Sequence, residues 1–185
     1  MPALHPTHLA SVLAVVDYNS KTYDLVLLAH VLSAVVGMVA VVVSGGFALT
    51  LRGALTTDGS LPVAVVRYYR PGINWVGRVL FLVPVLGVVL IAMSGGQWSY
   101  ADGWVAAGLA AWFVVAMAAE GALWPAERRL QQVVSARESG VPIDGGAVGD
   151  GEPVDPAALC LRSGLLGIGL GVVLVAVAVL MVAKP

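Results

Sequence analysis

Among the side chains able to do chemistry, the one most in need of a role is His30, the single histidine inside a long apolar stretch. Polar groups in lipid are costly unless they face protein or a water-filled cavity. At helical spacing His30 shares a side with Ser33, Ala34, Gly37, Val41, Ser44 and Ala48. Small residues let helices approach closely, so this stripe points into a bundle or at a partner. Two chemistries are open to the imidazole. It can hydrogen-bond to a serine or carbonyl of a neighbouring helix, or it can ligate haem iron or copper with Met93, which falls at a similar depth on another apolar stretch. The second group is Arg78, Glu120 and Arg162, each about four or five residues in from the same end of its own apolar segment. Equal depth makes them candidates for one intramembrane ionic cluster, which would fix helix register or line a proton or anion path; alternatively the arginines snorkel to headgroups. His5 and His8 form an H-x-x-H, but Pro6 between them opposes the helix that a shared metal would need, and a disordered end is expected. Cys160 has no histidine beside it and reads as a packing residue. No nucleophile with a base, no confident metal cluster and no phosphate-cradling glycine loop is legible.

The elements that must position these residues follow from composition. Of 185 residues, 59% are apolar and 11% charged, with a mean hydropathy of +0.91. Soluble domains carry about 25% charge, so the expected solvent is lipid. Ten basic and eleven acidic residues nearly cancel, which argues against nucleic-acid binding. Four apolar stretches are long enough for a hydrocarbon core of about 30 Å: 23–51, 74–93, 103–124 and 158–183. None shows the two-residue alternation of a barrel strand, so the expected fold is an all-α membrane protein, a four transmembrane helix bundle. Residues 1–22 form an outer segment with an apolar run at Leu9–Val16, and 23–185 one domain with cytoplasmic loops 52–73 and 125–157. Arg52, Arg67, Arg70, Arg78, Arg128, Arg129, Arg137 and Arg162 lie in or beside those two loops, so short-loop charge places both termini outside the inner (plasma) membrane. The first twenty residues lack a basic start and include Asp17, so no cleaved signal peptide is expected.

Within this frame Leu61–Tyr69 predicts a short helix ended by Pro71-Gly72, with its arginines and paired tyrosines in the headgroup layer. The run AERRLQQVVSARE predicts a polar continuation of the third span past Pro125, followed by a flexible Gly- and Pro-rich linker. Pro84 and Gly87 predict a kink in the second span. Ser33, Gly37 and Ser44 on the first span, and Gly164, Gly167 and Gly171 on the fourth, form small-residue packing faces; spacing leaves open whether the fourth meets another span or another subunit. Trp75, Trp98, Trp104 and Trp124 fall at span ends, as an aromatic belt requires.

The segment YDLVLLAHVLSAVVGMVAVVVSGGFALTLR resembles the first span of a family of bacterial four-helix integral membrane proteins related to the copper-resistance D type, which opens on a leucine-rich helix with one histidine and a small-residue run. GQWSYADGWVAAGLAAWFVVAMAAEGALWPAERRL is similar to that family's third span. The resemblance implies a multi-pass membrane protein with a link to copper handling, and His30 is the position it carries over.

The expectation is therefore a non-catalytic multi-pass membrane protein, an accessory or scaffold subunit whose partners are membrane lipids and other membrane subunits or itself. The alternatives are a haem- or copper-binding protein using His30, and a small carrier using the intramembrane charges.

Overall fold

The computed structural model describes residues 20–57, 59–140 and 155–183. The His5/His8 pair, the Leu9–Val16 run and most of the Gly- and Pro-rich linker lie outside the described residues. The fold is all-α, with no strand among the described residues. Four helices are long and apolar enough to cross a membrane. They are α1 (Lys21–Thr56), α3 (Trp75–Met93), α4 (Gly103–Glu138) and α5 (Pro156–Ala183). A six-residue helix, α2 (Val63–Tyr68), lies in the first loop. This is the architecture of a multi-pass membrane protein.

Local sequence explains where each helix starts and how it bends. Ser20 caps α1 by accepting from the Tyr23 N–H at 3.2 Å, and Asp24 adds an acid to the positive first turn. Asn74 caps α3, its Oδ1 accepting from the Gly77 N–H at 3.3 Å. Within α3 the turn Val79–Phe81 tightens to 3-10 geometry just before Pro84. Proline has no N–H to offer the carbonyl four residues back, which here is Leu80. In α4 the turn Ala119–Leu123 instead widens to a π-helix, and the Trp124 N–H reaches back five residues to the Ala119 carbonyl. That bulge lies immediately ahead of Pro125 and lets α4 continue unbroken to Glu138.

The closest packing is between α1 and α5. A Cβ on Gly167 would stand 2.9 Å from both the Gly45 Cα and the Val41 carbonyl, and one on Gly45 would stand 2.9 Å from the Gly164 carbonyl. Backbone therefore lies on backbone, and only glycine fits. The Gly164, Gly167 and Gly171 face thus meets α1 of the same chain, with Leu49 and Val42 over its two ends. On a different side of α1, Gly37 lies against Leu80 of α3.

The helices are unequal, and the surplus lies at one end. Tyr23 of α1 packs with Leu90 and Met93 of α3, and Gly108 of α4 meets Met181 of α5, which aligns the helices at the end carrying the 94–102 loop. Yet α1 and α4 each have 36 residues against 19 in α3. Beyond Glu127, which meets the α3 cap Asn74, α4 runs on to Glu138, about 17 Å at 1.5 Å per residue. This excess projects past α3 as a headpiece with its own core: Ala48 and Leu51 of α1, Val65 of α2, Tyr69, Leu130 and Val134 of α4, and Cys160 of α5. Arg128, Arg129 and Gln132 are exposed on it, a surface unsuited to hydrocarbon. We call this the basic end.

Candidate functional site

The densest polar arrangement among the described residues lies where the headpiece meets the membrane bundle. Glu127, only 5% exposed, accepts from the Asn74 Nδ2 at 3.1 Å. The same Nδ2 donates to the Tyr68 hydroxyl at 3.2 Å. That hydroxyl also interacts with Glu127 and with Ser44 of α1. One asparagine thus caps α3, ties it to α4 and ties it to the first loop, while Tyr68 carries the connection to α1. Burial, reinforced by the Glu127 charge, pushes the Tyr68 phenol well above its ordinary range, so it stays protonated. Tyr69 is pushed up in the same way, first by burial. Tyr69 is 1% exposed in the headpiece core, and the half-buried Tyr68 stacks on Phe47 with ring centroids 4.4 Å apart. Two further bonds strap the first loop to α4, from Gln131 Nε2 to the Gly72 carbonyl at 3.2 Å and from Arg137 Nη2 to the Gly59 carbonyl at 3.1 Å.

Arg78, Glu120 and Arg162 are not gathered into this arrangement. The Arg78 guanidinium lies over the Trp124 ring, 5.0 Å from its centroid, and 5.9 Å from that of Trp75. Glu120 and Arg162 are both exposed, Arg162 beside the headpiece two residues from Cys160. The buried carboxylate is instead Glu127, which stands in the polar run PAERRL and was not among the residues singled out from sequence. The available signal was helical spacing: Trp124, Glu127, Leu130 and Val134 share one face, and the other three are apolar.

His30 packs against α3. A Cβ on Gly87 would lie 3.3 Å from the imidazole Cε1, so the glycine makes room for the ring. The ring lies near the backbone of Val83, one turn before Gly87. His30 Nδ1 is buried without a partner among the described residues, as is Ser163 Oγ. Met93 belongs to a different cluster, with Tyr23 and Leu90. It is six residues beyond Gly87, about 9 Å along α3. No group of three His, Cys, Asp or Glu suited to a metal occurs among the described residues. Ser33 and Ser44 are buried on α1, where Ser44 serves the Tyr68 contact.

One more contact links α3 and α4. Trp112 Nε1 donates to the Leu80 carbonyl at 3.1 Å. Pro84 cannot donate to this carbonyl; the Leu82 N–H reaches it within the 3-10 turn, and the indole adds a second donor from α4. Phe81 packs edgewise on Trp112 and tilted on Trp124, closing the same seam.

Compared with known proteins, the chain matches no family model, no curated protein and no solved structure.

Proposed function

We propose that this protein is a non-catalytic accessory or scaffold subunit of a larger membrane assembly, with both termini outside and the headpiece in the cytoplasm. The observation that carries the reading is the headpiece itself. Three of the spanning helices run on past the start of α3, pack around an apolar core and turn Arg128, Arg129 and Arg52 outward. An ordered basic platform joined rigidly to a membrane bundle suits docking of an acidic surface on a partner subunit. The polar groups at its base act on one another, Asn74 with Glu127 and Tyr68, and so position helices. The Gly164, Gly167 and Gly171 face is occupied by α1 of the same chain and so is not the surface for assembly. Arginine-rich loops on one side support the cytoplasmic placement. Full-length tagged protein, extracted in mild detergent, should migrate as an assembly larger than its own 19.0 kDa. Arg128→Glu with Arg129→Glu should release the partner while helicity is kept. A monodisperse, partner-free chain contradicts the proposal.

A second reading rests on the buried, unpartnered Nδ1 of His30. If this nitrogen ligates haem or copper, as the resemblance to copper-resistance D relatives implies, a second donor is needed beside it, from Met93 or from a second chain. A Soret band, or stoichiometric copper lost on His30→Ala, would decide for it.

A further inference from the structure

Beside the Asn74 network a cleft of about 660 Å³ opens on the molecular surface at the basic end, between α1 and the segment that joins α2 to α3. Its two ends differ in chemistry. Along α1 the wall is Val35, Val36, Val39 and Val43, each more than a third exposed. At the basic end it is closed by Arg67 and Arg70, both exposed, and by Gln131. None of the described residues lining it is acidic.

The dimensions suit a lipid. From Val35 to Val43 is eight residues, about 12 Å along a helix. One leaflet of a hydrocarbon core is about 15 Å deep, half of roughly 30 Å. The valine wall thus covers nearly the depth of one acyl chain, and the arginines stand where that chain's headgroup would be. Arginine presents a planar fork of donors that matches phosphate oxygens, and its exposed position here leaves that fork available. Nearby, Glu127 is buried and turned to Asn74 and Tyr68, so it does not neutralise the cleft. The backbone is held in place by the Gln131 bond to the Gly72 carbonyl, so the cleft is formed before any ligand arrives.

We infer that this cleft binds one anionic phospholipid, with its phosphate on Arg67 and Arg70 and an acyl chain along Val35–Val43. The inference needs only that the chain spans a bilayer. It stands or falls separately from the scaffold role, which rests on Arg128 and Arg129.

The test uses the full chain in detergent, supplied with phosphatidylglycerol or phosphatidylcholine and read by native mass spectrometry for lipid retained per chain. Phosphatidylglycerol should be held at one per chain, at least about ten-fold more tightly than phosphatidylcholine, given the contribution of each basic residue near a headgroup. Arg67→Gln with Arg70→Gln should reduce phosphatidylglycerol to the phosphatidylcholine level. Val39→Trp, at a site 54% exposed and so tolerant of bulk, should lower retention of phosphatidylglycerol by obstructing the chain, with thermal unfolding unchanged. Glycerol phosphate, which has the headgroup but no tail, should fail to compete at equal concentration. Equal retention of the two lipids, retention unaffected by the arginine pair or by Val39→Trp, or competition by glycerol phosphate would overturn the inference.

Discussion

At the residue scale, the interior is organised by polar groups that replace what proline and helix ends leave unpaired. The Leu80 carbonyl is the sharpest case: Pro84 offers it no N–H, the Leu82 N–H reaches it in the tightened turn, and Trp112 Nε1 adds a donor at 3.1 Å. Trp112→Phe should therefore cost about 1 kcal/mol of stability in a mixed-micelle unfolding assay, the usual net worth of one hydrogen bond. In a Pro84→Ala background, where residue 84 again has its own N–H, the same change should cost close to nothing beyond lost packing. Equal costs in the two backgrounds would remove the link between the proline and the indole. Pro84 is visible in sequence as a disruption, but its remedy is not, since Trp112 is 28 residues away and no local pattern joins them. Glu127 shows the opposite case. Its apolar face neighbours were present in the sequence, yet the adjacent Glu-Arg-Arg run reads as a solvated helix. Intramembrane depth likewise suggested that Arg78, Glu120 and Arg162 meet. Depth says nothing about rotation around the helix axis, and the folded chain turns Glu120 and Arg162 to the surface.

At the element scale, the α1 and α5 pair depends on glycine for its separation. Gly167→Ala would drive a methyl group to 2.9 Å from the Gly45 Cα and from the Val41 carbonyl, both backbone atoms that cannot rotate aside. We expect a loss of about 1–3 kcal/mol, the usual cost of overpacking. Gly169→Ala, two residues on in the same helix, meets nothing within 4 Å and should be neutral or slightly stabilising through better helix propensity. Unfolding of both variants in mixed micelles gives the comparison; comparable losses would mean that glycine content, not this contact, is what matters. The stripe on α1 and the glycine face on α5 were legible from spacing alone. Their pairing was not, because small-residue faces are alike and spacing carries no address. Gly45, at the centre of the contact, was passed over for its neighbour Ser44, which turns instead to Tyr68.

At the scale of the whole molecule, hydropathy was enough to identify the four spanning helices, because the bilayer demands about twenty apolar residues from each. It did not distinguish the part of α1 inside lipid from the part beyond it. Ala48 and Leu51 are as apolar as the residues before them, but they pack against Tyr69, Leu130 and Cys160 in the headpiece. The proposed topology places the headpiece on the cytoplasmic side and the 94–102 loop on the outer side. Cysteine labelling in intact cells tests it directly, and the native background is dark, since Cys160 is fully buried. Ser99 in the short loop and Arg129 on the headpiece are both exposed. With a membrane-impermeant maleimide, Ser99→Cys should label in intact cells and Arg129→Cys only after lysis. Labelling of Arg129→Cys in intact cells, with Ser99→Cys protected until lysis, would contradict it.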